Sequence, residues 1–160
     1  MGEFSGQLAS LGRIGIVVSR YHEPLTTRLL DGARACCRDA GITEDRVDVV
    51  WVPGAFELGS AAAALARSGR YGALVALGVV IRGETPHFDY VAGEAARAIG
   101  SLASSHALPI GFGVLTVDTP EQAVERAGGA MGNKGYEATE AALRTADVIR
   151  QMAADRGEPA

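Results

Sequence analysis

Two hydrophobic patterns alternate along the chain. Arg13-Ile14-Gly15-Ile16-Val17-Val18-Ser19 is apolar without alternation, which predicts a strand buried on both faces. Pro24 then opens a segment with apolar positions at Leu25, Leu29, Leu30, Ala33 and Cys36. That spacing is one face of a helix, and it stops near Gly41. The same switch repeats three times. Val47–Val52 predicts a second strand, followed by a helix over about 56–67; residues 73–80 predict a third, followed by a long helix over 87–106. Residues 109–116 predict a fourth strand, after which come a short helix over about 120–127 and a final one over 134–154.

Strands apolar on both faces, separated by helices, imply a parallel sheet covered on two sides. Right-handed crossovers then lead to an α/β fold, a three-layer α/β/α sandwich around a four-stranded parallel sheet of flavodoxin-like order. Residues 4–8 carry a weak strand pattern that would extend a sheet edge, on a neighbouring subunit. No linker or repeat divides the chain, so residues 1–160 form one domain, with an N-terminal arm at 1–12 and a tail at 155–160 expected to be disordered. A chain of 160 residues can bury about two-thirds of its unfolded surface, enough for a single core.

Composition narrows the function. The net charge of −4 comes with dispersed basic residues, against the dense basic stripe of a nucleic-acid surface. No apolar run approaches the roughly 18 residues of a membrane span. Residues 1–12 lack a cationic head and an apolar stretch, so a cytoplasmic location is expected. Cys36 and Cys37 are adjacent, too close for ordinary disulfide geometry, and read as small packing residues. Neither they nor His22, His87 and His106 show metal-ligand spacing, so no metal site is expected.

Ligands of open parallel sheets bind outside the carboxyl ends of the strands. Four segments converge there: Tyr21-His22, Pro53-Gly54-Ala55-Phe56-Glu57, Arg82 to His87, and the region after Thr116. Tyr21 and Phe56 offer rings that could stack on a flat heterocycle, and Glu57 could accept hydrogen bonds from hydroxyls. Gly83 lets backbone N–H groups approach an anion, and Thr85 adds a hydroxyl at a helix start. His87, at the same helix start, can shuttle protons near neutrality. Each has a plainer alternative: core aromatics for Tyr21 and Phe56, a backbone-satisfied helix start for His87, solvated charges for Glu57, Arg126 and Lys134. The glycines at 128–135 are no phosphate loop of the P-loop kind, because Asn133 splits the Gly-Lys pair and a helix precedes them. Pattern alone stops at a small-molecule site with an anion.

Three blocks go further: residues 51–57 (WVPGAFE), residues 78–91 (GVVIRGETPHFDYV), and residues 121–128 (EQAVERAG) followed by Gly132-Asn133-Lys134-Gly135. In order and spacing they resemble the 6,7-dimethyl-8-ribityllumazine synthase family, over about residues 12–152. The resemblance implies condensation of 5-amino-6-(D-ribitylamino)uracil with 3,4-dihydroxy-2-butanone 4-phosphate, the penultimate step of riboflavin biosynthesis, without metal or redox cofactor. It places Tyr21 on the pyrimidine, Ala55, Phe56 and Glu57 along the ribityl chain, and Val80 and Ile81 at the ring edge. His87 becomes the proton-transfer group; Gly83, Glu84 and Thr85 cradle the phosphate. Phe112, Arg126 on the phosphate, and Lys134 are implied to come from the adjacent subunit. Tyr21 stands where the family often has Phe or Trp, and His22 where Asn is frequent.

The resemblance also implies a homopentamer, and the compact 128–134 connection suits members that build a 60-subunit icosahedral shell. It leaves open whether such a shell encloses riboflavin synthase. Two other uses of the same pocket are a lumazine-binding relative that dismutates its ligand to riboflavin, and a shell or carrier protein without turnover. The retained His87, Arg126 and Lys134 argue against the carrier.

Overall fold

A computed structural model describes residues 2–159. Four strands, β1 (Arg13–Ser19), β2 (Val47–Val52), β3 (Tyr71–Ile81) and β4 (Ile110–Val117), form one parallel sheet in the order β2-β1-β3-β4. Helices α1 (Glu23–Asp39), α4 (Pro120–Arg126) and α5 (Lys134–Asp155) cover one face; α2 (Leu58–Arg67) and α3 (His87–His106) cover the other. This is the expected flavodoxin-like sandwich.

The two-residue period of a strand explains both cores. In β3, Ala73, Val75, Leu77 and Val79 enter the core under α1 and α5, while Leu74, Ala76 and Val80 enter the core under α2 and α3. In β1, Ile14, Ile16 and Val18 face the first and Val17 the second. Cys36 and Cys37 are buried in the α1–α5 core, and burial pushes their thiols up to about 12 and about 11. They are packing residues.

Differences from the sequence-based expectations are local. The second helix is preceded by a 3-10 turn, Ala55–Glu57, so the α-helix starts only at Leu58. β3 begins two residues earlier than expected because Arg13 pairs with Tyr71. The 128–134 connection holds a small antiparallel hairpin, β5 (Ala127–Gly129) and β6 (Gly132–Asn133), that the pattern did not predict. Residues 4–8 form no strand within the chain. They lie against α5, where Asp147 (1% exposed) accepts from the Gln7 N–H at 2.9 Å, and Gln151 and Arg144 donate to the carbonyls of Ser5 and Gly6. At the other end α5 continues to Asp155, into the segment expected to be tail.

At the amino ends of the strands, Asp48 accepts from Arg13 at 2.9 and 3.1 Å and from the Tyr71 hydroxyl at 2.8 Å. The Arg13 hydrogen bonds, then that of Tyr71, lower its carboxyl from 3.8 to about 2. Folding therefore favours the ionised form, so the cluster stabilises fully above about pH 4 and is lost as pH falls toward 2. Arg13→Met should flatten the loss of stability in that window; denaturant midpoints from pH 5 to 2 measure it.

Candidate active site

The carboxyl ends of β1, β2 and β3 open on one cleft of about 700 Å³. Its floor is the end of β3, Val79 to Ile81, and each wall is a connection leaving the carboxyl end of a strand. After β1 the chain turns at Ser19, whose buried hydroxyl accepts the Tyr21 N–H at 3.2 Å, and at His22, which takes a left-handed φ of 60°. This sharp entry into α1 puts Tyr21 at the cleft mouth, 67% exposed, with the His22 ring edge-on at 4.6 Å. After β2 the 3-10 turn buries Ala55 under the sheet end and sends Phe56, 57% exposed, and Glu57 into the cleft. Neither aromatic is a core residue, which removes the plainer reading of both.

The connection from β3 to α3 supplies the third wall. Gly83, Thr85, His87, Phe88, Tyr90 and Val91 line it. Within the described residues no hydrogen bond occupies the backbone N–H of Gly83, Glu84 or Thr85, so these donors are free for an anion beside the start of a 20-residue helix. The Glu84 side chain is exposed and does not line the cleft. Its contribution to an anion site is confined to its N–H, since a carboxylate would repel a phosphate.

The remaining candidates lie elsewhere in the chain. Phe112, Thr116, Arg126, Lys134 and Glu137 border a second concavity of about 390 Å³ along the edge strand β4. Phe112 and Thr116, four residues apart on one strand face, are both exposed. Thr119 and Gln122 form a capping box that starts α4, and Arg126 ends it, donating to the Gln122 carbonyl at 3.0 Å. The hairpin β5–β6, turning on Gly128 (φ 100°) and Gly132 (φ 77°), delivers Asn133 to the start of α5. Asn133 accepts from Gly135 and Tyr136 and donates to the Arg28 carbonyl at 2.9 Å, fixing this corner to α1.

Lys134 comes directly after it, a cation at a helix N-terminus where the dipole disfavours positive charge. Glu137 compensates, 3.0 Å from its ammonium. Sequence reasoning misses Glu137; its only signal is the i,i+3 spacing from Lys134. The two clefts share no residue: nine of the candidates line the first, and Phe112, Arg126 and Lys134 line the second. Tyr21, Phe56 and the proton-shuttling His87 are on one, and the two cations, with Phe112, are on the other.

A family model described as 6,7-dimethyl-8-ribityllumazine synthase matches residues 12–150, from the start of β1 into the last turns of α5. The chain belongs to the 6,7-dimethyl-8-ribityllumazine synthase family. It is accordingly an enzyme of riboflavin biosynthesis, a transferase. Both half-sites fall inside the matched segment, as do the three sequence blocks that carried the resemblance. Among the described residues no cluster of His, Cys, Asp and Glu could hold a metal ion, and no helix is long and apolar enough to cross a membrane. A lumazine synthase fold with its candidate residues divided between two faces raises the question of how one ligand meets both.

Proposed function

We propose that the cleft of one subunit and the β4-edge concavity of its neighbour face each other in a homopentamer and together condense 5-amino-6-(D-ribitylamino)uracil with 3,4-dihydroxy-2-butanone 4-phosphate. The division of the candidate residues into two disjoint concavities, each with the chemistry the other lacks, is the observation that carries this reading.

In the larger cleft, Tyr21 stacks on the pyrimidine and Val80 and Ile81 meet the ring edge through their backbones. Ala55, Phe56 and Glu57 follow the ribityl chain, with the Glu57 carboxylate accepting from its hydroxyls. The free N–H groups of residues 83–85 and the Thr85 hydroxyl take phosphate oxygens. From the neighbour, Phe112 closes the ring pocket, the Arg126 guanidinium gives forked, charge-assisted donors to the phosphate, and Lys134 adds a second positive charge.

The chemistry then asks little of any single group. The pyrimidine amine attacks the ketone carbonyl, and water leaves to give a Schiff base. Phosphate departs, and the ring closes with loss of further water. Phosphate is a good leaving group, so holding two reactants together supplies much of the rate, with His87 moving protons between the reacting atoms. His87→Ala should therefore lower kcat by about 10- to 100-fold, less than loss of an indispensable acid–base group. Wild-type turnover in that variant would remove His87 from the mechanism.

Green-blue lumazine fluorescence on mixing protein with both substrates tests the reaction itself. A rate no higher than the spontaneous one would contradict it and favour a carrier; consumption of added lumazine to give riboflavin would favour the dismutase. Twelve pentamers closing into a 60-subunit shell completes the proposal, supported by the tight β5–β6 hairpin, which leaves no long insertion at that corner. Sedimentation at pentamer mass alone would exclude the shell. Such a shell could enclose riboflavin synthase, and a cytoplasmic location fits a pathway of soluble metabolites.

A further inference from the structure

We propose that Arg82 is a positioning residue that fixes the connection between β3 and α3, and through it the anion-binding N–H groups and the His87 imidazole. This role deepens the proposed function and rests on it. The Arg82 side chain does not line the cleft, although Ile81 and Gly83 on either side of it do. It is instead held by three residues of two elements outside, the β4–α4 connection and α3. Its Nε donates to Asp118 Oδ1 at 3.1 Å, beyond the end of β4. A terminal guanidinium nitrogen lies 3.6 Å from Asp89 Oδ1 in the first turn of α3. The guanidinium face covers the ring of Phe88 at 4.3 Å, and Phe88 lines the cleft beside His87.

The backbone of Arg82 completes the anchor by donating to the Val117 carbonyl at 2.9 Å, the last link of β3 to β4. Asp118 is itself placed, because its N–H donates to the Gln122 side chain of the α4 capping box at 2.7 Å. The clasp thus spans β3, α3 and the β4–α4 connection. Immediately beyond it, residues 83–85 are exposed and their N–H groups have no internal partner among the described residues. A short glycine-containing segment of that kind has no internal means of holding one conformation, yet a phosphate seat requires one. Fixation has to come from its ends, and Arg82 is the end that faces the sheet.

Exposed ion pairs taken singly are worth little. Arg82 differs because one guanidinium meets two carboxylates and also covers an aromatic ring. An ammonium cannot do all three, so lysine is not a substitute. Methionine keeps the stem over Phe88 and removes the charge.

The test measures kcat and both KM values for wild type, R82K, R82M, D118N and R82M/D118N, with thermal unfolding and assembly mass followed in parallel. R82M should raise KM for the phosphorylated ketone and lower kcat, each by up to about 10-fold, with KM for the pyrimidine within about twofold of wild type. R82K should not rescue. D118N should move the same parameters less, and the double variant should be no worse than R82M, as for two residues acting through one contact. Wild-type kinetics in R82K and R82M would overturn the proposal, as would equal rises in both KM values together with lowered thermal stability. An inactive wild-type protein would remove the proposed function and this role with it, whereas an active wild type with unaltered variants removes the role of Arg82 alone.

Discussion

Arg126→Ala is expected to raise KM for the phosphorylated ketone by about 10- to 100-fold, the worth of one to two charge-assisted hydrogen bonds to an anion. KM for the pyrimidine should stay within about twofold, because uniform binding of that substrate does not pass through the guanidinium. The folded chain itself should tolerate the change. Arg126 is partly exposed, and its structural contact is one hydrogen bond to the Gln122 carbonyl of its own helix, which a helix end can leave to water. The neighbouring Glu125 carboxylate is 3.8 Å away, an exposed pairing of little energetic weight. Steady-state kinetics with each substrate varied in turn gives the answer. Equal changes in both KM values would assign Arg126 to structure.

The largest expected effect on stability is at Gly135, the second residue of α5. A Cβ there would overlap the backbone carbonyl of Leu29 in α1, and a carbonyl inside a helix cannot swing away as a side-chain end can. Gly135→Ala should cost about 3 kcal/mol in a denaturant titration, at the upper end of typical overpacking penalties. Because the same corner carries the Asn133–Arg28 hydrogen bond and Lys134, activity should fall with stability. Gly93→Ala provides the matched control. Gly93 lies inside α3 with open space where a Cβ would stand, so alanine there should stabilise by about 0.5–1 kcal/mol. A Gly135→Ala protein as stable as wild type would mean that the backbones of α1 and α5 are not in contact at this corner.

Much of this fold was readable because its strands are apolar on both faces. β1 and β2 begin and end where the pattern places them, since Gly12 and Arg20 bound the first run and Arg46 and Pro53 the second. α3 is likewise legible at both ends, between Pro86 and the left-handed Ala107. What escaped depends on partners distant in sequence. β3 starts at Tyr71 because Arg13 is there to pair with it, while Gly72 interrupts the apolar run. The β5–β6 hairpin consists of small residues with no alternation to betray it, and side-chain contacts to α1 hold it. The arm at residues 5–7 runs along α5 because of Asp147 and Gln151, about 140 residues away, which no local pattern reports.

The site divides along the same line. Local motifs named nearly all of its candidates, but whether Tyr21 and Phe56 were core or cleft residues turned on exposure, 67% and 57%, which only the packed chain supplies. Glu137 stayed hidden because a carboxylate three residues into a helix is ordinary; only its place on the concavity with Lys134 gives it meaning.

Mixing two impaired variants measures directly whether two chains build one site. His87→Ala spoils the larger cleft and leaves the β4 edge intact; Arg126→Ala does the reverse. Unfolded together in equal amounts and reassembled, they should pair an intact cleft with an intact neighbouring edge at about a quarter of contacts, restoring about a quarter of wild-type turnover at a limiting concentration of the phosphorylated ketone. Activity no higher than the mean of the two variants reassembled separately would contradict a site shared between subunits.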